Sequence, residues 1–131
     1  MKEDFRDLDF QIEFYEKILE EKPDFIDTLI ALADAYTKRG LYQKGLQLDL
    51  RLSKLKKNDP IVYYNLACSY SLLEEIENSL KSLEKAIYLG YDDFGYMKKD
   101  PDLENVRKDK RFLSLSDGQR NKPCRKAEPT K

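Results

Sequence analysis

The residues of this chain that could perform acid–base chemistry are carboxylates, because the sequence contains no histidine. Neighbouring acids such as Glu74-Glu75 and Asp92-Asp93 resemble the paired carboxyl groups that glycoside hydrolysis requires. Adjacent acids are usually solvated turn charges, however, and Asp92-Asp93 precedes a short predicted helix whose positive end favours acids. We therefore expect no catalytic residues.

Nucleophilic, metal and phosphate chemistry are equally poorly supported. Without histidine, a serine or cysteine triad lacks its usual base, and the common zinc ligand sets are incomplete. The sequence has no glycine-rich phosphate loop. Cys68 falls within a predicted helix and Cys124 in a polar segment, so they form no disulfide framework. We predict a non-enzymatic protein without cofactor or metal, in the reducing cytoplasm.

Size and charge limit the partners. A chain of 131 residues fits one domain, and a formal net charge of −1 does not indicate nucleic-acid binding. No apolar run reaches the length of a membrane span, and the acidic N-terminus lacks the apolar core of a signal peptide. The sequence thus predicts no nucleic-acid partner and no membrane partner.

A sequence repeat with a period of 34 residues is the main indication of how the chain is organised. The segment Leu32–Tyr36, LADAY, returns 34 residues later as Leu66–Tyr70, LACSY. Leu46 returns at the same spacing as Leu80. A fixed period of this length is typical of helical repeats that stack and share one core, and such stacks commonly bind other proteins.

Proline, glycine and aspartate indicate where the helices of these repeats begin and end. Pro23 ends the first helix, and Asp24 is expected to cap the second, which Gly40 terminates. Asp59 and Pro60 begin the next unit as N-cap and first helical residue. The boundaries predict a half unit at 7–22, a full unit at 26–57 and a second full unit at 60–90.

The turn of the second unit departs from that of the first. Glu74 occupies the position that Gly40 holds in the earlier copy. Left-handed backbone costs a non-glycine residue roughly 1–2 kcal/mol. Either the second turn differs in shape, or Glu74 tolerates the strain.

The repeat pattern is not maintained in a third copy. Asp100 and Pro101 fall where the earlier copies have buried leucine and alanine, so we expect them to begin a capped short helix and not to be buried contacts. Short helical pieces at 92–115 are expected to close the open end of the stack. The polar, basic residues 116–131 are expected to form a flexible tail.

The echoed residues resemble the tetratricopeptide repeat (TPR) family. Its first helix carries a large apolar residue, then leucine, a small residue and tyrosine, found here as Leu29, Leu32, Ala33 and Tyr36, and again as Tyr63, Leu66, Ala67 and Tyr70. The segment 100–107 resembles the closing segment of bacterial TPR proteins. In the first full unit, Asp49 departs from the family pattern. The resemblance implies an all-α fold: a short right-handed helical-hairpin solenoid of about two and a half TPR units plus C-terminal capping helices, over residues 1–115.

The resemblance also implies a site. TPR proteins bind a peptide or partner helix of another protein along the concave face of their first helices, with an asparagine such as Asn65 often bonding the peptide backbone. Asp34 would repel a carboxylate, which disfavours a role as a heat-shock co-chaperone. The expected groove residues are Asp27, Ile30, Asp34, Thr37, Lys38, Ile61, Tyr64, Asn65, Cys68, Leu72, Lys98 and Lys99. Alternatively, the terminal segments fold back and cover this face.

Self-association is the second functional hypothesis. The half unit at 7–22 has no preceding helix in this sequence to cover it. Residues 1–24 carry nine acids and four bases, and residues 107–131 carry nine bases and three acids. Head-to-tail association of a homo-oligomer would use this asymmetry, whereas solvated termini of unequal charge need no partner.

Overall fold

The computed structural model describes residues 5–118, and all regular structure in that range is helical. The all-α prediction is therefore confirmed. The chain divides into two compact units, Met1–Lys57 and Asn58–Lys131. Across residues 5–118, no helix is both long enough and apolar enough to cross a bilayer.

The first unit contains three helices, α1 (Arg6–Glu21), α2 (Ile26–Arg39) and α3 (Tyr42–Leu55). α2 packs against both α1 and α3. Ile12 of α1 lies buried with Leu32, Ala35 and Tyr36 of α2. The face of α1 that contacts α2 follows the three-and-four spacing seen in the sequence, because these positions recur on one side of a helix.

Two helix ends in the first unit test the boundary predictions. Gly40 adopts φ +89, the left-handed conformation expected of the residue that ends α2. The prediction that Asp24 caps α2 is wrong, because α2 begins at Ile26 and its N-cap is Phe25, without a side-chain cap. Asp24 instead forms an ion pair with Arg51 at 2.8 Å.

The α2–α3 contact depends on a glycine. A Cβ atom added to Gly45 would lie 3.0 Å from Oγ1 of Thr37 and 3.5 Å from the carbonyl oxygen of Ala33. The absence of a side chain therefore permits the close approach of the two helices. Asp49, the departure from the family pattern, is buried on the same helix.

The second unit contains two longer helices and a series of short ones. α4 (Pro60–Leu72) packs against α5 (Ile76–Tyr88). The short elements are α6 (Phe94–Met97), a 3-10 helix (Pro101–Leu103), α7 (Glu104–Arg107) and α8 (Lys110–Gly118). We call residues 94–112 the closing segment.

The closing segment is part of the core of the second unit. Met97, Leu103, Val106 and Phe112 are almost fully buried, together with Leu83 and other residues of α4 and α5. The predicted start of a tail at residue 116 is wrong, since Ser116 is buried and α8 continues to Gly118. Residues 119–131 of that expected tail lie outside the described range.

The start of α4 and the turn after it agree with the predictions made from the sequence. The carboxylate of Asp59 accepts a hydrogen bond of 2.9 Å from the backbone N–H of Ile61, and Pro60 is the first residue of α4. Glu74 has φ +62, so of the two alternatives the chain tolerates a left-handed non-glycine residue. The α4–α5 turn thus repeats the backbone shape that Gly40 gives the α2–α3 turn.

Candidate functional site

In the first unit, the predicted groove residues share one surface of α2. Asp27, Ile30, Asp34 and Lys38 are exposed, and Thr37 is half-buried. Ile30 is the apolar member, with 42% of its surface accessible. The carboxylate of Asp34 forms an exposed ion pair of 3.0 Å with the ammonium of Lys38, one helical turn along. This surface therefore combines an accessible aliphatic side chain with acidic neighbours.

In the second unit, α4 presents a similar surface. Ile61 is 53% exposed, Asn65 is exposed, and Leu72 is half-buried. Ile61 and Asn65 are four residues apart, so they are neighbours on the helix. The primary amide of Asn65 offers two donors and one acceptor carbonyl, which match the polar groups of a peptide backbone.

Tyr64 and Cys68, in contrast, do not lie on an open surface. Both are buried in the core of the second unit, so their assignment to an accessible groove is wrong. The closing segment packs against α4 and covers this side of the helix. For these two residues the alternative interpretation, coverage by a terminal segment, is correct.

Asp100 is the acceptor at the centre of the covered side. The hydroxyl of Tyr64 donates to its Oδ2 at 2.6 Å, and the thiol of Cys68 donates to the same oxygen at 3.8 Å. The backbone N–H of Asp102 donates to Oδ1 at 2.9 Å. The expectation that Asp100 is not buried is wrong, because these donors satisfy a carboxylate that is only 4% exposed. Its predicted capping role is confirmed.

Two stacked tyrosines border this acceptor. The rings of Tyr64 and Tyr91 are nearly parallel, with centroids 4.3 Å apart. Burial, reinforced by the hydrogen bond to Asp100, strongly raises the pKa of the Tyr64 hydroxyl. Burial also raises the pKa of Tyr91 to about 12. Both phenols are therefore protonated at physiological pH.

Further hydrogen bonds hold the closing segment on α4. Ser71 is central: its carbonyl oxygen accepts from the side-chain amide of Asn105 at 2.9 Å, and its hydroxyl oxygen accepts from the N–H of Val106 at 3.1 Å. The Arg107 guanidinium donates to the carbonyl oxygens of Met97 and Asp100, at 3.2 and 2.9 Å. These bonds add to the backbone hydrogen bonds in which the carbonyl oxygens of Ser71 and Asp100 accept from the N–H groups of Glu74 and Leu103.

The two predicted lysines lie at the outer side of the closing segment. Lys98 and Lys99 are both exposed. The ammonium of Lys98 forms an ion pair with Asp117 of α8 at 3.0 Å. Lys98 therefore links two elements of the second unit.

One group of ligand atoms has the spacing of a metal site. Within residues 5–118, Cys68, Asp100 and Asp102 place one ligand atom each within 4.8 Å of one another. Both carboxylate oxygens of Asp100 already accept hydrogen bonds from Tyr64 and from the N–H of Asp102. The structure therefore gives the Asp100 carboxylate a role in fixing the closing segment.

Sequence comparison adds one partial similarity. Neither a family model nor a solved structure matches the chain. The chain is 36% identical over 86 residues to a chloroplastic protein of Arabidopsis thaliana, an alignment that covers 61% of this chain and 25% of that protein. The chain thus spans about a quarter of the length of this relative.

Proposed function

We propose that this chain is a non-catalytic protein-interaction module that binds a peptide or helix of another protein. The observation that carries this proposal is the accessible isoleucine on each of two polar helix surfaces, Ile30 on α2 and Ile61 on α4. Covering an exposed aliphatic side chain of this size stabilises a complex by about 1–2 kcal/mol. Exposed aliphatic residues next to hydrogen-bonding groups are suited to binding because they combine affinity with orientation.

We further propose that the two helical hairpins belong to a short TPR solenoid of about two and a half units. The 34-residue period supports this assignment, as do the left-handed residues at the equivalent positions Gly40 and Glu74. In the TPR family, the helix surfaces equivalent to those that carry Ile30 and Ile61 here face the bound peptide. The proposed role of these surfaces rests on this resemblance together with their exposure.

The neighbouring groups define the chemistry of the partner. Asp27 and Asp34 surround Ile30, so α2 suits a peptide with an apolar side chain next to lysine or arginine. Asn65 can bond one peptide unit of an extended backbone beside Ile61. We therefore propose a partner segment that is basic and apolar on the side that meets α2.

A peptide library tests the proposal without requiring a known partner. Random peptides displayed on phage are selected on the full chain, and enriched sequences are measured by fluorescence anisotropy. We expect enriched peptides to contain an aliphatic or aromatic residue beside a base. Ile30→Ser or Ile61→Ser should weaken their binding about tenfold, because each change removes an apolar contact without adding a charge that could attract a basic peptide.

Matched controls make this result specific. Tyr88→Ala removes a large exposed side chain from α5 and should leave peptide binding unchanged. Asn65→Ala should weaken binding by a smaller factor than Ile61→Ser. Binding that survives both isoleucine changes, or a selection that enriches no peptide, would exclude these surfaces as the site.

We propose a cytoplasmic location as part of the same function. The support is indirect: the buried Cys68 carries a thiol and not a disulfide, which suits a reducing compartment. The related Arabidopsis protein is chloroplastic by name. Fluorescence imaging of the tagged protein in its native cell distinguishes the two compartments.

A further inference from the structure

We propose that α1 pairs in antiparallel orientation with α1 of a second copy, giving a symmetric dimer. This surface shares no residue with the peptide-binding surfaces proposed on α2 and α4. It lies on the opposite side of α1 from the residues that contact α2.

Two exposed phenylalanines locate the surface. Phe10 is 70% exposed and Phe14 is 54% exposed. At 100° per residue, they lie about 160° and 200° around the helix from Ile12, the buried residue of α1. They are four residues apart and therefore form one continuous apolar patch. Such a patch of aromatic residues on an otherwise charged face of the helix indicates a docking surface.

The charges beside the phenylalanines identify the partner. Asp7, Phe10, Phe14 and Lys17 follow one another at intervals of three, four and three residues, the spacing of a coiled-coil seam. In an antiparallel pair with its axis between Phe10 and Phe14, each Phe10 meets Phe14 of the second copy. Asp7 then meets Lys17 of the second copy, once on each side of the axis.

Other arrangements lack this match. A parallel pair would place Asp7 against Asp7 and Lys17 against Lys17, so like charges would repel at both ends. A head-to-tail contact with the basic residues 119–131 would satisfy acids of α1, but that segment has no aromatic or large aliphatic residue to cover Phe10 and Phe14. A second α1 supplies both the opposite charges and the aromatic contact.

The symmetry also creates one unfavourable contact that serves as a marker. Glu13 lies on the flank of the seam, about 80° from its centre, in the position where antiparallel helices bring equivalent residues together. Each Glu13 therefore meets its own copy near the axis. Replacing this pair of acids with neutral side chains should strengthen an antiparallel dimer.

Sedimentation velocity of the full chain, from micromolar to near-millimolar concentration, measures the association. A helix of 16 residues is about 24 Å long, so the interface is small and weak binding is expected. The double variant Phe10→Ser, Phe14→Ser should raise the dissociation constant more than about hundredfold. Glu13→Gln should lower it severalfold. A wild-type chain that remains monomeric over the whole range would overturn the proposal.

A charge-exchange series tests the orientation. Asp7→Lys and Lys17→Asp should each raise the dissociation constant about tenfold, because both symmetric pairs change from attraction to repulsion. The double variant Asp7→Lys, Lys17→Asp exchanges the charges and should restore association to within about twofold of wild type. Failure of the double variant to restore association would overturn the antiparallel arrangement.

Two measurements separate dimer formation from other effects. Far-UV circular dichroism should be the same for all variants, since every changed side chain is exposed. Asp7 lies in the first turn of α1, so its replacement also changes an interaction with the helix dipole. Lys17 lies outside that turn, and Lys17→Asp therefore tests the charge pair without this effect. Peptide binding should be unchanged in each variant, which distinguishes this inference from the proposed function.

Discussion

The hydroxyl of Tyr64 on α4 donates a hydrogen bond of 2.6 Å to Oδ2 of Asp100, 36 residues further along the chain. Both groups are buried, and the carboxylate also begins the 3-10 helix of the closing segment. One hydrogen bond therefore joins the second repeat-like hairpin to the segment that packs on it. It explains why an aspartate is found where the earlier copies carry a leucine.

Tyr64→Phe should reduce the free energy of unfolding by about 1–3 kcal/mol, because it leaves a buried acceptor without its shortest donor. The ring remains, so the stacking on Tyr91 is retained and the loss reports the hydroxyl alone. Urea unfolding followed by circular dichroism measures the change. Tyr88→Phe, on an exposed tyrosine, is the matched control and should change stability by less than about 0.5 kcal/mol. Equal stability of the two variants would contradict the assignment.

Alkaline pH should destabilise the fold through its buried tyrosines. Burial raises the pKa of Tyr91 from 10.0 to about 12, so the folded state retains a proton that the unfolded state releases above pH 10. The contribution of Tyr91 to the free energy of unfolding is therefore fully present below pH 10, and it decreases as the pH rises from 10 through 12. Each retained proton contributes a slope of at most about 1.4 kcal/mol per pH unit.

Tyr91→Phe separates this contribution from other effects of high pH. The slope of the unfolding free energy above pH 10 should be smaller in the variant than in the wild-type chain. Comparison of the two proteins at about pH 8, where a phenol is protonated in both states, gives the stability difference that is independent of ionisation. An unchanged slope would mean that Tyr91 ionises equally easily in the folded state.

The equivalent turn residues Glu74 and Gly40 should respond in opposite ways to exchange of glycine and a side chain. Glu74→Gly should stabilise the chain by roughly 0.5–1 kcal/mol, since relief of left-handed strain exceeds the added backbone entropy. Gly40→Ala should destabilise it by about 1–2 kcal/mol. The space around Gly40 is open, so the cost arises from the backbone and not from a clash. Thermal unfolding measures both variants, and effects of equal sign would contradict this explanation.

The sequence predicts the helices and their turns well because those features depend on local residues. Gly40 and the Asp59-Pro60 pair define helix ends through backbone conformation and capping. The 34-residue repeat relates Gly40 to Glu74, and Glu74 is the left-handed residue of the second turn. The cap of α2 is less predictable, because Asp24 has the favoured residue type but the structure places Phe25 at the N-cap position.

The covered side of α4 is harder to predict. Helical phase shows that Tyr64 and Cys68 lie off the buried stripe, but it does not show that a later segment packs there. The signal in the sequence is Asp100 itself, a polar residue in a core position of the period. Together with two hydrogen-bonding residues off the stripe, it indicates a buried polar contact. The exposed pair Phe10 and Phe14 is likewise visible in the sequence as a second stripe on α1.

The brevity of α6 and α7 determines the order in which the second unit can form. Each helix has only four residues, too few for stable helical structure in water without tertiary contacts. Ser71 and Tyr64 must already be held on α4 before the closing segment has partners to bind. We therefore expect the α4–α5 hairpin to form before the closing segment orders on it. By the same dependence, we expect the closing segment to detach before this hairpin unfolds.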